Sequence, residues 1–147
     1  MKVQPFFVAP EDYGEALNVL GAKITVLASN AETLGYEITL QQGGEGIGPP
    51  PHSHDWDESF FVLEGRVEIH CGGKSNVCGS GTLIHVPAGT VHGFHFCAGG
   101  GRMLEISGKG GRATRMFKNV SKAFPTASPD IPKLLDVLRQ NGVTVAA

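Results

Sequence analysis

Short apolar runs alternate with glycine clusters along most of the chain, and each run is too brief for a buried helix. The pattern predicts strands at Ile24–Leu27, Tyr36–Gln41, Ser59–Leu63, Arg66–Cys71, Ser75–Val77, Leu83–Val86, Gly93–Phe96 and Met103–Ile106. In Arg66-Val67-Glu68-Ile69-His70-Cys71, polar and apolar positions trade places at period two, so one face is wet and the other buried. Ser59–Leu63 alternates less, because Phe60, Phe61, Val62 and Leu63 are all apolar. Such a strand is covered on both faces, by the interior and by another sheet or subunit. Between these two runs, Leu63-Glu64-Gly65-Arg66 reads as a tight hairpin turn with Gly65 at positive φ.

A different period appears near the end. Ile131, Leu134, Leu135 and Leu138 form a helical stripe over about 129–141. Ser128 or Asp130 can cap it, Pro129 or Pro132 suits its first turn, and Gly142 ends it. This helix is expected to cover a flank of the fold or a dimer seam. No repeat or linker interrupts the 147 residues, which make one domain, 1–147. An all-β chain with one C-terminal helix fits a small β-barrel or jelly roll.

Charge narrows the partners. Twelve basic and 14 acidic side chains leave a net charge of −2. Bulk attraction to nucleic acid or an anionic membrane is excluded. No apolar run approaches the ~20 residues of a spanning helix. The start, MKVQPFFVAPED, is broken by Pro5 and Pro10 and is a poor signal peptide, so a cytoplasmic protein is expected. Cys71, Cys78 and Cys97 are three thiols at no zinc-finger spacing, read as free. Cys71 and Cys78 flank a Gly-rich turn and can face each other across a hairpin.

Ligand-type side chains concentrate between Gly46 and Glu58. His52 and His54 are two apart, which on a strand puts both imidazoles on one face, about 7 Å apart. Glu58 shares their parity and joins them if the backbone bends around Asp55–Asp57. His92 offers a further imidazole at the start of a later strand. Three imidazoles and a carboxylate suit one divalent transition metal (Fe, Mn, Ni, Cu, Co or Zn) and not calcium or magnesium. Alone, a His-x-His pair in a loop is more often a solvated surface pair than a site.

Two longer patterns contain these residues. Gly46, five residues, His52-x-His54, three residues, Glu58, six residues and Gly65 resemble the first motif of the cupin superfamily. Gly81, five residues, Pro87-x-Gly89, two residues and His92 resemble the second. The two motifs span about 46–96. Pro49-Pro50-Pro51-His52, Glu58 to Gly65 and Val86 to His92 are similar to the single-domain branch near quercetin 2,3-dioxygenase. The resemblance implies an RmlC-like jelly-roll barrel, a metal on His52, His54, Glu58 and His92, a small-molecule ligand and a homodimer. The second motif usually ends in Asn four residues after its His, where this chain has Phe96. Parity sends Phe96 inward with His92, so it is expected to narrow and dry the space beside the metal.

Two functions stay open. One is a metal-dependent, dioxygenase-like enzyme on a small aromatic or enolisable substrate, with Glu58 as catalytic base and Trp56, Phe60, Val62, Phe94 and Phe96 lining an apolar pocket. The other is a non-catalytic metal or small-ligand binder, a sensing or storage module. Trp56 suits a pocket wall or a loop anchor equally. Asp55 and Asp57 read as solvated loop carboxylates. His70, His85 and His95 have outward parity, and Lys109, Arg112, Arg115 and Lys118 read as a wet face.

Overall fold

The computed structural model describes residues 2–125 and 129–146. Its elements are a 3-10 turn at Pro10–Asp12, then β1 (Leu17–Val19), β2 (Ala22–Ala28), α1 (Asn30–Thr33) and β3 (Glu37–Gly43). β4 (His52–Ser53), β5 (Glu58–Cys71), β6 (Lys74–Cys78), β7 (Leu83–Val86) and β8 (His92–Ser107) follow. The chain closes with α2 (Ala113–Ala123), α3 (Ile131–Gln140) and β9 (Thr144–Val145). Every strand pair is antiparallel. The order runs β1-β2-β3-β8-β4-β9, with β5 on the other edge of β8 and carrying β6 and β7. Curled into a jelly roll, this is the expected cupin-type fold.

The curl comes from one long ribbon. β5 and β8 pair from Glu58↔Ser107 at one end to Cys71↔His92 at the other. In a flat ribbon Glu58 and His92 would lie roughly 40 Å apart, at about 3.3 Å per residue. Their side chains instead meet at 2.9 Å. The ribbon therefore folds over on itself, and the register shifts between Val62 and Glu64 and between Gly65 and Val67 mark the bend. Gly65 does take positive φ (73°), but the segment around it is no hairpin. It runs on as strand, and a Cβ at Gly65 would sit 2.1 Å from the Gly100 carbonyl oxygen. The glycine permits close backbone approach at a corner, which a turn signal in the sequence does not distinguish from a reversal. The true hairpin is at Gly72-Gly73, between β5 and β6.

Inside the bend lies one core cluster, with Phe60, Val62, Val67, Ile69, Cys78, Val86, Phe94, Phe96 and Met103. Phe61 and Leu63 face the other way and are only half-buried. β3 inverts the usual pattern, since its polar Glu37, Thr39 and Gln41 are buried while Ile38 is half-buried. Cys71 and Cys78 do not face each other; Cys71 pairs with Lys74 and Cys78 with Val67, and all three thiols are free.

The helical part is larger than one C-terminal helix. α2 is not among the expected elements, because its basic residues mask a stripe of Ala113, Phe117 and Val120, all buried. The buried Glu37 carboxylate accepts the Thr114 N–H at 3.3 Å, in α2's first turn, where free N–H groups need partners. α3 starts as expected on Asp130, whose side chain accepts from the Lys133 N–H. Ser128 lies outside the described residues. Leu134 is buried against Val120 and Phe124, whereas Ile131 and Leu135 are exposed. Among the described residues no helix is long and apolar enough to cross a membrane.

Candidate metal centre

The bend of the β5–β8 ribbon and the short β4 strand bring four side chains together. His52 on β4 pairs with His92, the first residue of β8. After His54 the chain turns through Asp55–Asp57, and Glu58 opens β5. One ring nitrogen from each of His52, His54 and His92 lies within 4.8 Å of the other two. Glu58 Oε1 is 2.9 Å from His92 Nε2, and Oε2 is 3.0 Å from His54 Nε2. His54, Glu58 and His92 are buried.

Each imidazole is held from behind. His52 Nδ1 is 2.8 Å from the Pro50 carbonyl, His54 Nδ1 3.0 Å from that of Trp56, and His92 Nδ1 2.8 Å from that of Thr90. A carbonyl oxygen only accepts, so every Nδ1 carries the proton and donates. In the neutral rings every Nε2 is then a lone pair. Those of His54 and His92 face the two carboxylate oxygens of Glu58. Lone pairs set against an anion repel unless a cation or a proton lies between them. His54 Nε2 is buried and makes no hydrogen bond of acceptable geometry despite its 3.0 Å contact. Backbone-anchored imidazoles with inward lone pairs, beside a carboxylate, are the donor set of a borderline divalent metal.

Burial and charge act on these groups in different directions. Burial lowers His52 from 6.5 to about 4, favouring its neutral, ligating form. Burial pushes Glu58 upward, but the neighbouring His54 and His92 prevail and hold its carboxyl below the usual carboxylate range. Burial also opposes charge on His92, and the Glu58 contact outweighs it to raise the imidazole pKa.

A cavity of about 110 Å³ ends at this cluster. Trp56, Phe60 and Phe94 line it, together with His52, His54 and Glu58. Val62 and Phe96 do not. Both are fully buried, but they pack deeper in the barrel, Phe96 against Phe94 at 5.8 Å between ring centroids. Inward parity repeats at 92, 94 and 96, and the sheet carries each successive pair further from the ligands. Phe96 fills the ribbon bend instead, where a Cβ on Gly43 would lie 2.7 Å from its ring. Trp56 combines both roles considered for it. It walls the cavity and anchors a second core cluster with Ile24, Ala113, Phe117 and Val143.

Two lining residues escaped the sequence reading. Gln41 and Glu105 face the cavity from β3 and β8, and the Gln41 amide donates to the Glu105 carboxylate. Burial, then the charge of Glu58, pushes Glu105 well above the usual carboxylate range. The available signal was their parity with Glu37 and Thr39 on β3 and Met103 on β8. α2 and α3 close the far side with Met116, Phe117, Leu134 and Leu138.

The remaining candidates sit outside. Asp57 Oδ1 accepts the Ala88 N–H at 2.8 Å, tying the loop before His92 to the Glu58 turn. Asp55 pairs with Arg112 at 2.9 Å, and that guanidinium lies 5.6 Å over the Trp56 ring. Lys109, Arg115 and Lys118 are exposed, as is His85; His70 and His95 are half-exposed on the outer face.

Fold and site together define a cupin with a His/Glu set of metal-binding type. Residues 36–106 match the family model of the cupin domain, Cupin_2, and the chain carries a cupin domain there. It is similar to quercetin 2,3-dioxygenase of Bacillus subtilis (strain 168), 31% identical over 95 residues, covering 63% of this chain and 28% of that one. It is also similar to acireductone dioxygenase 1 of Nocardia farcinica (strain IFM 10152), 44% identical over 57 residues, covering 32% and 30%. The matches thus span less than a third of either relative's length. An RmlC-like cupin from Shewanella frigidimarina NCIMB 400 shares the fold, with TM-score 0.65, 20% identity and coverage of 74% and 95%.

Proposed function

We propose that His52, His54, Glu58 and His92 hold one divalent transition metal, and that the protein is a dioxygenase-like enzyme on a small enolisable or aromatic compound. One observation carries the proposal: an apolar-walled cavity reaches His52, His54 and Glu58, and the fourth donor, His92, stands 2.9 Å from Glu58 behind that wall. When bound, the metal supplies Lewis acidity toward a ligand oxygen. Glu58 is the group placed to accept the proton of an enol or phenol hydroxyl. Trp56, Phe60 and Phe94 exclude water around it. The Gln41–Glu105 pair offers polar contacts on the same sheet, with Glu105 directly across the ladder from Phe60.

Cavity size restricts the substrate. An apolar cavity of about 150 Å³ accommodates benzene, and this one is about 110 Å³. A cavity of this size takes only the most compact enediols or diketones as it stands, and a multi-ring flavonol does not fit it without widening. The same small volume favours, as the second function, a non-catalytic binder of the metal with a small ligand. Oxygen uptake by the metal-loaded protein with diketones, catechols and flavonols separates the two. Turnover of a compact enolisable compound supports the enzyme; metal binding with no oxygen uptake across the panel assigns the binder.

A further inference from the structure

Outside the cavity, the described residues bring together one other set of metal-ligating side chains: Glu68, His70 and His95. Strand parity places them. Glu68 and His70 on β5 alternate with the buried Val67 and Ile69, and His95 on β8 alternates with the buried Phe94 and Phe96. All three therefore project from the outer face, with the core layer between them and the interior cluster. Register does the rest, because Glu68 lies directly opposite His95, and His70 opposite Gly93, on the diagonal.

The donors are already convergent. One ligating atom from each side chain lies within 4.8 Å of the other two. His95 Nε2 and Glu68 Oε2 are 3.0 Å apart, and the His70 and His95 ring centroids are 5.8 Å apart. His70 Nδ1 is engaged by the Ser75 hydroxyl on β6, which orients the ring and leaves Nε2 for a ligand role. Three neighbouring strands thus hold the set on rigid backbone. The Glu68 and His95 side chains are 34% and 40% exposed, so an ion from solvent reaches them without opening the fold.

We propose that Glu68, His70 and His95 form a second, solvent-side site for a divalent transition ion. Two imidazoles and one carboxylate select zinc, copper, nickel or cobalt over calcium or magnesium. Water completes the coordination sphere on the exposed side. An ion there ties β5 to β8, and through the Ser75-held His70 to β6, so it stabilises the folded state by mass action. The proposal is independent of the function assigned to the interior cavity.

Zinc titration by calorimetry tests it, on the full chain previously loaded with its interior metal. The expected result is one additional zinc per chain, bound at micromolar concentrations of free ion, with a raised melting temperature. His95→Ala and Glu68→Gln should each weaken that binding at least about tenfold and abolish the thermal shift. Both should keep the interior metal and the wild-type circular dichroism spectrum. His85→Ala, at another exposed histidine, should bind zinc like the wild type. No additional zinc below about 1 mM free ion, or undiminished binding in both ligand variants, overturns the proposal. Loss of binding in His85→Ala instead assigns the ion elsewhere and overturns it equally.

Discussion

The His54 imidazole lies flat on the Trp56 indole, with ring centroids 4.0 Å apart and planes 7° from parallel. The same imidazole donates through Nδ1 to the Trp56 carbonyl. Trp56 thus sets both the plane and the tautomer of a proposed ligand, while its own ring is fixed by the helix-side core. Trp56→Ala should cost about 3–5 kcal/mol of stability. Trp56→Phe keeps the backbone carbonyl and shrinks only the stacked ring, so it should stay folded and lower metal affinity by up to about tenfold. Chelator competition measures this; unchanged affinity in a folded Trp56→Phe protein would deny the indole an orienting role.

The metal-free protein should lose stability in weak acid through His52. Its folded pKa of about 4 lies below the ordinary 6.5, so the unfolded chain takes up a proton that the fold refuses. This group costs nothing above pH 6.5 and destabilises progressively between 6.5 and about 4. His92 has the opposite sign: its raised pKa stabilises below 6.5, and that contribution is lost as pH rises through the folded value. Glu58 stabilises above 4.5 and loses its contribution as pH falls through its lowered pKa. Urea unfolding of metal-free His52→Gln should show a shallower decline between pH 6.5 and 4 than the wild type. An identical slope would remove His52 as its source.

Phe96 belongs to the barrel bend and not to the cavity. Phe96→Ala should destabilise by about 3–5 kcal/mol, while Phe96→Leu should lower the melting temperature and leave metal content and ligand affinity unchanged. A shift in ligand affinity for Phe96→Leu would return the ring to the cavity wall.

How much was legible differs by element. The four converging donors were readable because their spacing survives in the sequence: His52 and His54 share a face, and Glu58 and His92 each open a strand. The cavity was only half readable. Parity points Phe60, Val62, Phe94 and Phe96 inward alike, but it does not tell which of them is nearest the ligands, and Val62 and Phe96 lie one layer deeper. β3 hid Gln41 because hydrophobic patterning assumes apolar side chains face in, and here Glu37, Thr39 and Gln41 do. Gly65 was legible as a positive-φ glycine but not as a bend, since only the partner strand at Gly100 distinguishes the two. α2 was masked by Arg112, Arg115 and Lys118, whose charges drew notice away from the Ala113, Phe117 and Val120 stripe.

We expect a homodimer in solution. Phe61 and Leu63 face outward, and Phe61 pairs with Leu83, which is 63% exposed. Ile131 and Leu135 of α3 are exposed too, as is Phe7 near the N-terminus. A twofold contact would cover such outward apolar side chains. Light scattering at micromolar concentration should give twice the chain mass, and Phe61→Asp should shift it toward one. A monomeric wild type would contradict this.

The central claim is that His52, His54, Glu58 and His92 hold a metal that the fold does not need. Elemental analysis of the purified native protein, paired with His92→Ala, tests it most directly. The account predicts about one transition-metal ion per chain in the native protein. It predicts loss of most of that metal in His92→Ala, with the circular dichroism spectrum unchanged, because the barrel core is built without the ion. A native protein without transition metal, a variant that keeps its metal, or a variant that unfolds would contradict it.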